Sequence, residues 1–353
     1  LGQMVQGSDI LFLLAYYVGA LLLLILLSAH AMTKDTEIAG TMTADNNKSV
    51  EDTPSEQNVK KRRYFLDREW SDTWKQRFTW AVQFCYGSLF SALVVCYFKS
   101  SGSFTTFILV VLLAVLLVCN EFLQKRYESF GITLALFCLL GTMFLNFAIP
   151  HLVHRIGFFW FFLSTLTSFA ICTLVWYLSR RKIMVLIAPG IICILLIISY
   201  AANLVPPVPL VMKQQTACIN FDKASYSCEL DDHTLSQRIG FTTTKLHKGD
   251  APKVYVVSSV YAPADLKAAL EYRWYYADPK TGKFGPPEII STSGMELKGG
   301  RADGYRIYAN KTHIPPGVYR VETAYRKGAV IGSMTFEVVE GFPETPSIRD
   351  TIR

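Results

Sequence analysis

The sequence predicts two unlike parts: an α-helical transmembrane bundle of six spans, then a C-terminal all-β antiparallel sandwich. Three observations predict it. Of the 353 residues, 51% are hydrophobic and only 18% charged, with a mean hydropathy of +0.27, where a soluble domain carries about 25% charged residues. The apolar residues crowd into 10–31 and 78–205, while 33–77 and 213–353 have the composition of water-facing protein. Beyond a proline-rich stretch at 204–212, the hydrophobic period changes from that of a helix to that of a strand. These features exclude a purely soluble enzyme, a disordered chain and a small disulfide scaffold.

A bilayer core of about 30 Å needs roughly 20 apolar helical residues. Six stretches meet that length: 10–31, 78–98, 104–123, 130–150, 157–178 and 183–204. Short breaks between the later stretches make antiparallel hairpins. The first stretch has no basic n-region and no clear small-residue cleavage site after Leu27, so residues 1–32 read as a retained helix rather than a signal peptide. Pro189-Gly190 falls inside the sixth stretch, as a kink or a hinge. Gly87 with Ser91, and Ser164 with Ser168, give the small-xxx-small spacing that lets helices approach closely. Asn146 lies deep enough to hydrogen-bond between helices, and Glu121 sits beside Lys125 and Arg126 at a helix end.

Residues 33–77 read as a flexible cytoplasmic linker rich in Asp, Glu, Thr, Ser and Asn, ending in an interfacial helix that carries Trp70, Trp74 and Phe78. Lys60, Lys61, Arg62 and Arg63 are candidate contacts for anionic lipid heads, and also an ordinary positive-inside signal. Basic residues recur in alternate connections, at 60–77, at Lys125-Arg126 and at Arg180-Arg181-Lys182, while the others hold only Lys99 and Arg155. Basic connections face the cytoplasm, so residues 213–353 are expected in the periplasm of a bacterial inner membrane.

The five-helix part, 78–205, leads through the stiff junction 206–212 into a β-domain over 213–342 and a tail over 343–353. Segments 252–261, 270–277, 304–309, 317–325 and 329–339 are rich in Val, Ile, Tyr and Thr and are bounded by Pro and Gly turns. With 216–229 and 235–245 they make seven or eight strands, packed as an immunoglobulin-like sandwich. Lys327-Gly328 is the expected turn of a hairpin. Cys218 and Cys228 are ten positions apart in the exported part, so a disulfide is expected across a hairpin around Lys223-Ala224-Ser225. The six other cysteines lie in apolar runs and read as small hydrophobes.

No G-x-S-x-G, P-loop, H-E-x-x-H or C-x-x-C motif is present. His151 and His154 sit together, but no third ligand is evident, so neither metal nor haem nor any other cofactor is expected. Without a dense basic face, nucleic acid is not an expected partner. Trp274 and Tyr276 share one strand face, where stacking on a sugar and packing in a core are the two roles open to them. Arg301 and Arg306 flank a glycine-rich turn, as contacts for an anionic ligand or as solvated charges.

The stretches VYAPADLKAALEYRWYY, LKGGRADGYRIYANKTHIPPGVYRVETAYRKGAVIGSMTFEVV and ANLVPPVPL resemble an uncharacterised (DUF-type) family of bacterial inner-membrane proteins. In that family a multi-helix membrane domain precedes an immunoglobulin-like periplasmic β-domain. The resemblance covers residues 78–341 and implies architecture without an activity, so it brings no catalytic residue. The function expected is therefore non-enzymatic: a binding or scaffold (accessory) subunit in contact with membrane lipid and a protein partner. A periplasmic glycan or peptidoglycan binder is the alternative. A small-molecule transporter is a third reading, weakened by the absence of charge near the middle of any span.

Overall fold

The computed structural model describes residues 10–26, 72–122, 129–179, 182–230, 244–290, 296–300, 303–326, 328–342 and 348–351. Lys60 to Arg63, Arg301, Lys125, Arg126, Arg180 and Arg181 lie outside them. Six helices are described: α1 (Ile10–Leu26), α2 (Asp72–Ser100), α3 (Phe104–Phe122), α4 (Phe130–Val153), α5 (Phe158–Ser179) and α6 (Ile187–Ala201). Four segments are long and apolar enough to cross a membrane: Gln76–Ser100, Phe130–Val153, Phe158–Ser179 and Ile183–Ala201. Of the six spans expected, two are described only as shorter apolar helices, Ile10–Leu26 and Phe104–Asn120.

Two details of the helices differ from expectation. Trp74 and Phe78 belong to the continuous 29-residue α2 instead of a separate interfacial helix, because no breaker separates them from the apolar run. Pro189 lies in the first turn of α6, after a 3-10 turn at Ile183–Leu186. Pro189 thus stands three residues beyond the change from 3-10 to α-helical winding, inside the span Ile183–Ala201.

α4 is the central helix, with most of its length buried. On one side Tyr17 of α1 stacks on Phe137, with ring centroids 4.9 Å apart. On another, Asn146 Nδ2 donates to the Tyr97 hydroxyl of α2 at 3.0 Å, and Tyr97 donates to Met143 O; this is the interhelical bond expected of Asn146. α5 turns the stripe Ser164, Thr165, Ser168, Cys172 and Val175 inward, and Ser168 Oγ donates to Cys138 O at 2.9 Å. Gly141 permits this closeness, since a Cβ there would lie 2.6 Å from Ser168 Oγ and 2.7 Å from Tyr17 Oη.

The described strands are β1 (Val211–Cys218), β2 (Phe221–Asp222), β3 (Ser227–Leu230), β4 (Thr244–His247), β5 (Lys253–Tyr261), β6 (Lys267–Tyr276), β7 (Glu288–Ile290), β8 (Glu296–Lys298), β9 (Tyr305–Thr312), β10 (Gly317–Tyr325), β11 (Val330–Val339) and β12 (Ile348–Thr351). Two sheets, β1-β5-β9 and β4-β11-β10-β6-β7 with β8 beside β6, share one core. Pairing is antiparallel except between β4 and β11. Alternation aims Val254, Val256 and Val260 of β5, Leu270, Tyr272 and Trp274 of β6, and Tyr319 and Val321 of β10 into that core. Polar bonds cross it as well: Tyr272 donates to Ile307 O at 3.2 Å, and Ser258 and Thr323 share a hydrogen bond of 3.1 Å.

A third small sheet, β12-β3-β2, completes the domain. The stretch read from sequence as a tail therefore supplies a strand: Ile348–Thr351 pairs with β3. Cys218 and Cys228 form the expected disulfide, with Cα atoms 5.8 Å apart. It joins β1 to β3 across a turn in which Asp222 accepts from Ala224 N at 3.0 Å and from Ser225 Oγ at 2.6 Å.

Candidate functional site

The junction between the two parts is packed from both sides. Val205 and Val208 are buried in the helical core, and Leu210 is buried in the sandwich core. The proline-rich segment is thus a packed connector, since each side of it is held by apolar burial at roughly 1.5–3 kcal/mol per large side chain. The α4–α5 turn makes a second connection. Ile156 packs against the sandwich core, Tyr325 donates to Ile156 O at 3.1 Å, and Lys267 N donates to His154 O at 3.2 Å. A third connection is Gly102, between α2 and α3, which lies against the backbone of Ile331 in β11. Three connections therefore fix one end of the bundle to one end of the sandwich.

His151 and His154 belong to this junction. His151 Nδ1 is 3.2 Å from Phe147 O, and His154 takes a left-handed conformation at the end of α4. Among the described residues, no group of three His, Cys, Asp or Glu side chains is arranged to hold a metal ion.

In the β-domain, Trp274 is 1% exposed and meets Phe336 edge to face at 6.2 Å. It is a core residue and offers no ring face to a sugar. Tyr276 lies on the same strand face, against Tyr319 at 5.0 Å, with its hydroxyl donating to Pro316 O. Alternation shows that the two rings share a face but does not say which face is inward. Arg306 sits elsewhere, on β9, with its guanidinium 5.5 Å from the Tyr226 ring. Trp274 with Tyr276 and Arg306 are thus not one site.

Two surfaces were not foreseen. The first is the outward face of β6 and β10. There Tyr275 donates to Glu322 at 3.0 Å, and Arg320 lies between the rings of Tyr275 and Phe284, at 4.7 and 4.5 Å. Arg273 donates twice to Glu271 Oε1, at 2.9 and 2.8 Å. Burial, and then the Glu322 carboxylate, raise the pKa of Tyr275, so its phenol stays a donor. The second is an aromatic cluster beside the disulfide, where Phe221 meets Tyr226, Tyr255 and Tyr308 at 5.7, 5.6 and 5.0 Å. It borders a groove of about 410 Å³ lined by Asn220, Asp222, Glu229 and Lys253 among others. The signal in the sequence was the aromatic-rich run around Cys218 and Cys228, but only the hairpin brings Phe221 to Tyr308.

No family model matches this chain, and no curated protein matches it. Among solved structures it is similar to the alkylpurine DNA glycosylase AlkC of Pseudomonas fluorescens bound to DNA containing an abasic site analog, at 11% identity over 77% of this chain and 83% of that one, with a TM-score of 0.24. It is also similar to an immunoglobulin-like protein from Pseudomonas aeruginosa, at 9% identity over 36% of this chain and 99% of that one, with a TM-score of 0.20. At these TM-scores neither likeness carries a fold or a chemistry from one protein to the other.

Proposed function

We propose that this chain is a non-enzymatic, multi-pass protein of the bacterial inner membrane whose periplasmic β-sandwich acts as a binding or scaffold subunit. The observation that supports this best is the packed junction, because a domain held at three points presents its outer faces in a fixed orientation to a neighbour. Orientation follows from charge. The sandwich adjoins the bundle end formed by the connections at 101–103 and 154–157, while the basic clusters fall in the other connections. The outward face of β6 and β10, with Arg273, Tyr275, Arg320 and Glu322, has the Tyr and Arg composition favoured at protein interfaces. Affinity isolation of the full chain in mild detergent, followed by native mass measurement, tests the reading. A stoichiometric protein partner lost on Tyr275→Ala with Arg320→Ala supports it, and a bare chain overturns it.

A second reading has its own observation. The groove beside Phe221 and Tyr255 combines ring faces with Asn220, Asp222 and Glu229, the pairing of apolar wall and polar groups that suits a glycan. Titration of the full chain with soluble peptidoglycan fragments separates it from the first. Saturable binding lost in Tyr255→Ala favours the glycan reading, and no binding removes it.

A further inference from the structure

Two thiols meet inside the helical bundle, with a third one turn away. Cys138 of α4 and Cys193 of α6 place their sulfurs 3.4 Å apart. Cys172 of α5 directs its own thiol to Leu134 O, one turn before Cys138 on α4, at 3.8 Å. Cys85, Cys96 and Cys119 likewise belong to no disulfide. Packing alone accounts for a buried cysteine; it does not require sulfur against sulfur from two different helices. The surroundings are also more polar than a packing site needs. Ser168 Oγ is 3.9 Å from Cys138 Sγ. Tyr17 Oη and Thr142 Oγ1 are buried there with no hydrogen-bond partner. Ser168 Oγ is thus the hydroxyl beside the sulfur of Cys138, where a thiol would have to lose its proton to react.

Access is one-sided. Cys138 and Cys172 are fully buried, whereas Cys193 is 8% exposed on a helix whose neighbouring Ile191, Ile194, Leu195 and Ile198 all face outward. Cys138 lies about 12 Å along α4 from Phe130, at the helical rise per residue. An oxidant reaching this pair has to come through lipid, which selects an apolar one. Closing the bond requires the sulfurs to approach by about 1.4 Å, from contact to the covalent separation of a disulfide.

We propose that Cys138 and Cys193 are a redox-active dithiol that closes to a disulfide by reducing a lipid-soluble quinone. Two S–H bonds break and one S–S bond forms; the two electrons and two protons pass to the quinone, which leaves as the quinol. The oxidised state ties α4 to α6, and the reduced state leaves them held by packing alone.

The test uses the full chain in lipid nanodiscs, reduced with a phosphine and then freed of it under anaerobic conditions. A short-chain ubiquinone is added in excess, and the sample is quenched in acid and denatured. Free thiols are blocked with N-ethylmaleimide, then disulfides are reduced and labelled with a second reagent. Peptide mapping reads each cysteine separately, so the Cys218–Cys228 bond does not enter the count. The expected result is the second label on Cys138 and Cys193, the first label on Cys85, Cys96 and Cys119, and quinol in about one equivalent over the Cys193→Ala control, as the two-electron balance requires. Cys172→Ala is expected to keep the 138–193 bond. N-ethylmaleimide on both Cys138 and Cys193 after quinone treatment of the unmodified chain overturns the proposal, whether or not either variant folds. So does a bond between Cys138 and Cys172 alone.

Discussion

Val208 and Leu210 stand two residues apart and belong to different hydrophobic cores, the first among the helices and the second among the strands. A connector built this way cannot bend without exposing one of them to water. Leu210→Ala is expected to cost about 2–5 kcal/mol, felt in the sandwich and not in the bundle. Tyr325→Phe, which removes only the bond to Ile156 O, is expected to cost about 0.5–1.5 kcal/mol. Hydrogen exchange at the Lys267 amide, whose acceptor is His154 O, reads the junction directly. Unchanged protection there in Leu210→Ala would show that the α4–α5 contact holds without the connector.

Gly102 has no room for a side chain, because a Cβ would enter the backbone of Ile331. Gly102→Val is expected to push β11 away from the α2–α3 turn, at a cost of about 1–3 kcal/mol typical of overpacking. Limited proteolysis of the folded protein should then cut near Ser101 or Ile331 faster than in the unmodified chain. Equal cutting rates would place the two segments further apart than described.

The Cys218–Cys228 bond closes a short loop over the outer surface of the β1-β5-β9 sheet, with Val257 beneath it. Replacing both cysteines by Ala should lower the stability of the β-domain by about 2–3 kcal/mol on the chain-entropy estimate, with the helices unaffected. Thermal unfolding followed by near-ultraviolet dichroism of the tyrosines checks the size. Thiol labelling of denatured, unreduced protein checks the bond: two labels on the peptide spanning Cys218 and Cys228 would mean that it is absent.

Burial raises the pKa of Tyr272 above the ordinary phenol value. A raised folded-state value means that the neutral phenol is favoured by folding. Its contribution is fully present below about pH 10, the unfolded value, and is lost as pH rises from there toward the folded value. Tyr272→Phe should therefore be less stable at neutral pH, having lost the bond to Ile307 O, yet lose less of its remaining stability above about pH 10. Denaturation midpoints of both proteins across neutral to alkaline pH decide this, and parallel curves would refute it.

Much of the architecture is legible in residues 78–205 and 317–339, where hydropathy and alternation are strong and local. The hairpin of β10 and β11 turns at Gly328, whose N–H donates to Tyr325 O, and Asn146 bonds across helices as its depth suggested; Lys327 of the expected turn lies outside the described residues. What the sequence hides is relational. Nothing in IPHLVHRIG announces that Ile156 serves the sandwich, because that depends on where β6 and β10 come to lie. Ile348–Thr351 is too short to read as a strand until β3 offers its edge. Cys138 and Cys193 are separated by an interval that carries no motif, and only the rotation of two helices about their axes brings the sulfurs together.

The pairing of β12 with β3 sets an order of events in biogenesis. On the proposed topology, the segment holding Cys218 and Cys228 crosses the membrane well before Ile348–Thr351 has been synthesised. The disulfide can therefore close on a hairpin whose outer edge is still vacant, leaving the backbone groups of β3 open during that interval. An exposed edge is the surface on which chains stray into one another. Pairing with Ile348–Thr351 satisfies those groups of β3 and moves the open edge from the strand that carries the disulfide to one that does not.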